Sequence, residues 1–200
     1  VIEIPTGLPA ELVPLSWLIG VWEGTGVIDY AVGDENVSQE FGQRISFSHD
    51  GLPFLNYSSY TWLLGDEVEG QPLTSETGYW RLARLHIEGD VGPGMLPGAG
   101  PRPFNTAQSV ETLRNSAEGF DIEVSIVHPT GISELYLGQV KGPRIDLATD
   151  AVVRTQSAKE YAAATRIYGL VDNHLLWAWD IAALGQDLRT HASARLAKAD

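Results

Sequence analysis

The sequence predicts an all-β chain closed into a single antiparallel up-and-down barrel, and three observations carry that prediction. Runs rich in β-branched and aromatic residues follow one another along almost all of the 200 residues. Turn signals separate them at a spacing of roughly 8–12 residues, the pattern of a sandwich or a barrel. The chain has no cysteine, so the Cys-Trp-Cys core of an immunoglobulin-type sandwich is missing, and closure into a barrel is the other way to remove sheet edges. Near the start, Gly20-Val21-Trp22-Glu23-Gly24-Thr25-Gly26 places Gly20, Trp22, Gly24 and Gly26 on one face of a strand. Glycines there allow close backbone approach or a bend at a barrel wall, and the tryptophan fills the space they leave. A glycine-weakened edge strand with a core tryptophan is the plainer reading, but it does not call for this spacing.

The elements follow in order. Residues 1–15, with Pro5, Pro9 and Pro14, read as an extended lead-in, and residues 12–19 suit a short helical turn closing one end of the barrel. Strand runs then cover 21–30, 37–49, 53–62 and 73–87, and later 120–128, 133–140, 144–149, 151–155, 158–169, 175–183 and 188–196. Asp50-Gly51, Gly65-Asp66, Glu69-Gly70, Pro129-Thr130-Gly131 and Asp172-Asn173 are the turns between them. Residues 158–165 are alanine-rich enough for a helix, but nothing nearby offers a lone helix a partner, so they read as strand. Between the two halves, residues 89–108 carry Gly92, Pro93, Gly94, Pro97, Gly98, Gly100, Pro101 and Pro103. That composition cannot build a ladder. It is a lid over a pocket or, more commonly for such loops, a tolerated insertion that is mobile and dispensable for folding. The whole of 1–200 reads as one domain, a size usual for a barrel.

Composition excludes several function classes. A formal net charge of −13 argues against sequence-independent nucleic-acid binding, which needs clustered Lys and Arg, and against an anionic membrane surface. No apolar run has the length of a membrane span. The absence of cysteine suits a reducing cytoplasm, though exported proteins share it. The chain opens on Val1 with neither an n-region nor an h-region, which leaves room for a removed leader. Oligomeric state is not readable; a homodimer is compatible with everything above.

Familiar catalytic motifs are missing. The glycine run lacks the lysine of a phosphate cradle, and there is no G-x-S-x-G elbow. None of the five histidines stands at His-x-His or i, i+4 spacing, so a zinc site is not expected. His49, His86, His128 and His174 border turns or loops and read as solvated turn residues. His191 differs. Alternation puts His191, Ser193 and Arg195 on one face and Ala192, Ala194 and Leu196 on the other. By alternation alone the polar face points outward and His191 is a surface residue. The alternative is a single imidazole that ligates a haem iron, which needs only one protein ligand.

Five stretches occur in a fixed order: Trp17 to Gly26, Phe47 to Tyr57, Ser75-Glu76-Thr77-Gly78-Tyr79-Trp80-Arg81, Ala158-Lys159-Glu160, and His191 to Leu196. Together they make the chain resemble the nitrobindin family, the fatty-acid-binding-protein-like haem proteins also described as peroxynitrite isomerases. The resemblance runs from about Trp17 to Lys198 and implies a ten-stranded, calycin-like antiparallel barrel holding haem b, one per chain, in an open mouth. It implies that His191 is the proximal iron ligand and that Lys159 lies at the haem, where a cation pairs with a propionate. It implies binding of nitric oxide and conversion of peroxynitrite to nitrate. Many members carry a histidine in a Pro-Leu-His context near the distal face; here Leu73 is followed by Thr74, whose hydroxyl donates a hydrogen bond but does not titrate near neutrality.

A haem protein isomerising peroxynitrite is therefore the first functional expectation. A non-catalytic carrier of a fatty acid or other apolar ligand is the second, and a haem-based sensor or store the third. Because barrels of this type join first and last strands, Trp22 is expected to pack inward with Arg195 or Lys198 over its ring.

Overall fold

Ten antiparallel strands close on themselves in the computed structural model, which describes residues 7–32, 35–65, 70–183 and 187–199. They are β1 (Gly20–Val32), β2 (Glu35–Ser48), β3 (Leu55–Leu63), β4 (Pro72–Leu82), β5 (Phe120–His128), β6 (Ile132–Lys141), β7 (Arg144–Arg154), β8 (Tyr161–Val171), β9 (His174–Ala183) and β10 (Arg189–Ala199). Each strand pairs with its neighbours in sequence, and β1 pairs with β10 to close the ring. The expected ten-stranded up-and-down barrel is thus present. Eleven strand runs were readable in the sequence, and the difference lies in β7. Leu135 pairs with Ala151 while Tyr136 pairs with Thr149, so Asp150 is the extra residue of a bulge that joins 144–149 and 151–155 into one strand. The run read as 73–87 is shorter too: β4 stops at Leu82. Pro5 of the lead-in, and Asp66 and Glu69 of the expected turns, lie outside the described residues.

The glycine run does what its spacing suggested. Gly24 pairs with Leu196 and Gly26 with Ala194 across the β1–β10 seam. A Cβ on Gly24 would stand 2.4 Å from the Arg195 carbonyl oxygen, and one on Gly26 would stand 2.3 Å from that of Ser193 and 2.5 Å from Phe41. Only hydrogen fits at either place. Trp22 is buried, its indole N–H donates to the Leu18 carbonyl at 2.7 Å, and Lys198, its cross-strand partner, holds Nζ 5.5 Å from the ring centroid. Of the two cations expected over that ring, Lys198 is the one present.

One barrel end is plugged. A 3₁₀ helix, Ala10–Leu18, packs against β4, β6 and the short helix α1 (Ala107–Glu111), with Leu12, Leu15 and Leu18 fully buried. Helix therefore begins at Ala10, inside the segment read as extended. The Gly/Pro-rich segment between β4 and β5 belongs to this plugged end. Arg84, 6% exposed in its side chain, bonds Glu11 of the plug through Nε (2.7 Å) and Nη2 (3.0 Å), and Asp90 through Nη1 and Nη2 (2.7 Å each). These hydrogen bonds hold the Asp90 carboxyl at about 2 against the opposing effect of burial. The guanidinium also lies 4.8 Å from the Phe104 ring centroid, and Arg102 donates to the Gly51 carbonyl in the β2–β3 connection at 2.8 Å. The open mouth is at the other end, where β1, β3, β5, β7 and β9 finish and β2, β4, β6, β8 and β10 begin. Residues 89–108 therefore do not lie over the mouth: the segment sits at the other end of the barrel.

Candidate functional site

Inside the mouth lies a cavity of about 530 Å³, walled mainly by apolar and aromatic side chains from β1, β2, β3, β4, β8, β9 and β10. That volume is within the roughly 300–1,000 Å³ typical of small-molecule and cofactor sites. His191 lines it, against the outward setting that strict alternation gives. Thr190 pairs with Asp180 and Ala192 with Trp179, so His191 is an extra residue on β10. Such a bulge re-aims a side chain, and here both His191 and Ala192 face the cavity.

The His191 ring is half buried, and burial lowers its pKa. The nearby Asp29 main chain opposes that shift without cancelling it. The imidazole is thus held mainly neutral. A neutral ring carries its proton on one nitrogen and keeps the lone pair of the other for a guest.

Two further bulges shape the same rim. Thr61 pairs with Thr74 and Trp62 with Pro72, leaving Leu73 as an extra residue, and Leu73 and Thr74 both line the cavity. Thr74 is exposed at the mouth, and its main-chain carbonyl accepts the Thr61 hydroxyl at 3.1 Å. Tyr161 pairs with Ala183 and Ala163 with Ala182, so a bulge at Ala162 brings Tyr161 to the inner face shared by Ala164, Arg166 and Tyr168. Lys159 is exposed in the β7–β8 connection, two residues before Tyr161, and is not among the residues lining the cavity; its carbonyl accepts Arg154 Nη1 at 3.1 Å. Gly20, Trp22, Gly24 and Gly26 line none of it either: their work is the β1–β10 seam and the plugged end.

One inner wall is polar, and its charged groups are paired. Arg166, 2% exposed, bonds Glu76 with both terminal nitrogens (2.9 and 2.7 Å) and donates from Nε to the Tyr136 hydroxyl at 3.0 Å. Glu76 also accepts the Tyr57 hydroxyl (2.8 Å), and Glu134 accepts the hydroxyls of Tyr136 (2.6 Å) and Tyr161. Burial alone would favour the neutral acid of Glu76, but Arg166, His128 and Tyr57 outweigh it and hold the carboxyl at about 2. Glu134 is likewise held below its usual value, against burial, by His128, Arg166 and the two tyrosines. Burial and the neighbouring Glu134 carboxylate push the Tyr136 and Tyr161 hydroxyls well up. Two ionised carboxylates saturated with donors are structural anions, not general acids.

His128 belongs to this wall, which corrects its reading as a solvated turn residue. Its side chain is 10% exposed, with Nε2 2.6 Å from Glu134 and Nδ1 3.6 Å from Glu76. The period-2 pattern carried the signal: Phe120, Ile122, Val124, Ile126 and His128 share one face of β5, and the first four are buried core. His49 and His174 do sit in turns, with ring nitrogens on the Gly51 amide and near the Asp172 carbonyl.

The model of the THAP4-like, heme-binding beta-barrel domain matches residues 11–198. The chain belongs to this family. Its relatives include proteins named peroxynitrite isomerase from Leifsonia xyli subsp. xyli, 76% identical with both chains covered in full, and from Clavibacter michiganensis subsp. michiganensis, 70% identical with the same coverage. One from Kocuria rhizophila is 54% identical over 98% of this chain and 95% of its own. Among solved structures, the crystal structure of Rv2717c from M. tuberculosis superposes with a TM-score of 0.68 at 27% identity, covering 99% of this chain and 100% of that one. As a member of the THAP4-like heme-binding barrels, the chain carries both the closed wall and the open, His191-lined mouth on the segment that the family model spans. Among the described residues, no helix is long and apolar enough to cross a membrane.

Proposed function

We propose that this chain is a haem b protein of nitrogen-oxide chemistry that isomerises peroxynitrite to nitrate and binds nitric oxide. The observation that carries the reading is His191: a half-buried, mainly neutral imidazole, set by a bulge into an apolar cavity at the mouth of a heme-binding-family barrel. The residues present fit the group. The cavity wall offers Trp177, Trp179, Ile28 and Ile181 as an apolar seat, one free imidazole nitrogen as a ligand, and an open rim. The wall's Glu76, Glu134 and Arg166 are already paired with one another and with tyrosines, while the buried indole N–H of Trp179 has no partner. The full-length relatives bearing the isomerase name support the reaction.

In this reading His191 holds the iron, as the one protein ligand that a haem site requires. The Asp29 main chain, close to the ring, would be the acceptor for its N–H. Lys159, exposed in the β7–β8 connection, would supply the cation for a propionate. A bound haem supplies the iron chemistry that rearranges the peroxynitrite bonds, and because isomerisation conserves atoms and charge the chain needs no co-reactant. Leu73 and Thr74 border the remaining access, where the Thr74 hydroxyl offers a hydrogen bond but no titrating group. The cysteine-free composition suits work in the cytoplasm.

Stopped-flow decay of peroxynitrite, with nitrate quantified, tests the reaction. Haem-loaded protein is expected to accelerate decay with nitrate as the product, and haem-free protein is not. Equal decay rates for the two would contradict the isomerase reading.

A further inference from the structure

Trp179 touches the groups that matter on both sides of the cavity. The Arg166 guanidinium carbon lies 4.1 Å from its ring centroid. The His128 ring stacks on it at 6.0 Å, with 14° between the planes. His191 stands nearly perpendicular to it, 5.6 Å away at 83°. Arg166 and His128 are themselves pinned by Glu76 and Glu134. A cation and an aromatic ring against an indole hold its plane by electrostatic and dispersion contacts.

His191, in turn, needs support from side chains. As the extra residue of a bulge it has no cross-strand partner on β9, since the pairing steps from Thr190–Asp180 to Ala192–Trp179. The Trp179 indole stands beside it instead, and the Asp29 main chain lies near the ring. We propose that Trp179 is the positioning residue of His191: the buried Glu76–Arg166–Glu134–His128 cluster holds the indole, and the indole holds the imidazole in the one setting that presents a nitrogen to the cavity. This rests on the haem reading for its purpose, though not for its geometry.

The test has two readouts. In haem-free protein, long-range ¹H–¹⁵N spectra report the tautomer of His191. The unmutated chain is expected to show a single tautomer, Trp179→Phe to keep it, and Trp179→Leu to show two in exchange. With haemin added, the Trp179→Leu affinity is expected to fall about 10–100-fold, the usual cost of losing a partner that orients a metal ligand, with most of it restored in Trp179→Phe. Trp22→Phe, at the plugged end, separates general destabilisation from positioning: it is expected to leave the His191 signals in place. If Trp179→Leu does not fold, Trp179→Met, nearer in volume, gives the same comparison. A folded Trp179→Leu or Trp179→Met protein with one His191 tautomer and unchanged haemin affinity overturns the proposal. Should the unmutated chain take up no haemin, the haem reading fails, while the tautomer comparison still decides the role of Trp179.

Discussion

His191 carries a pH dependence whose sign follows from its surroundings. Burial places its folded-state pKa below the usual imidazole value of about 6.5, with the Asp29 carbonyl offsetting part of the shift. The ligating, neutral form therefore survives on acidification through that value. Haem is expected to stay bound as pH falls past about 6.5 and to be released only below it, as His191 finally protonates; a pH titration of the Soret band checks this, and release already above that point would count against it. Because the unfolded chain takes up its proton first, this residue also costs stability as pH drops from the unfolded value to the folded one. Glu76 acts further down: its folded pKa of about 2 contributes stability that is present above the unfolded carboxyl value and is lost as pH falls from there toward the folded one. Removing its partner should be severe. Arg166→Met leaves two buried carboxylates short of a cation and is expected to cost about 3–5 kcal/mol in urea unfolding; a loss within experimental error would mean that the cluster is not the buried, paired unit described. At this scale the sequence was half legible. His191 was singled out by its motif, but alternation turned it outward, because a bulge is a count of residues against a partner strand and is invisible in one strand alone. His128 was legible by period, yet the following Pro129 drew it into the turns.

Among elements, the β1–β10 seam is the most demanding contact. Gly26 has no room for a methyl group between the Ser193 carbonyl and Phe41, so Gly26→Ala is expected to destabilise by about 1–3 kcal/mol through overpacking, measured by chemical denaturation. Gly51, where an added Cβ meets nothing within 4 Å, has a φ of +77°; its substitution strains a turn, not the seam. The bulge on β10 gives a sharper test. Deleting Thr190 removes the extra residue, returns β10 to strict alternation and turns His191 to the outer face. The expected outcome is a folded barrel by circular dichroism with no haemin uptake; retained uptake would show that the bulge does not aim the residue. The strands themselves were legible because their inner faces are apolar and their turns carry Gly, Asn, Asp or Pro. Where the sequence erred, at β7 and at the end of β4, long-range pairing decided, and a single strand does not carry that information.

For the whole molecule, the proposed site and the closure occupy opposite ends. The plug, α1 and the Gly/Pro-rich segment gather around Arg84 at one end, and the cavity opens at the other. Residues 91–101 lie between Asp90, which Arg84 holds, and Arg102, which bonds the Gly51 carbonyl. Replacing 91–101 by a short Gly/Ser linker, with Asp90 and Arg102 kept, is expected to leave soluble expression and haemin affinity unchanged, and limited proteolysis is expected to cut first within this stretch. Lost folding would make the segment a packed element of the plug. The central claim, that His191 in the barrel mouth holds haem iron, is tested most directly by titrating haemin into the unmutated chain and into His191→Ala while recording the Soret band. A saturable red shift at one haem per chain, absent in His191→Ala, weakened in Lys159→Ala and intact in the variant lacking 91–101, is the predicted result. No shift in the unmutated chain, or an identical shift in His191→Ala, contradicts the claim, and a long-chain fatty acid bound in place of haemin would make the barrel a carrier.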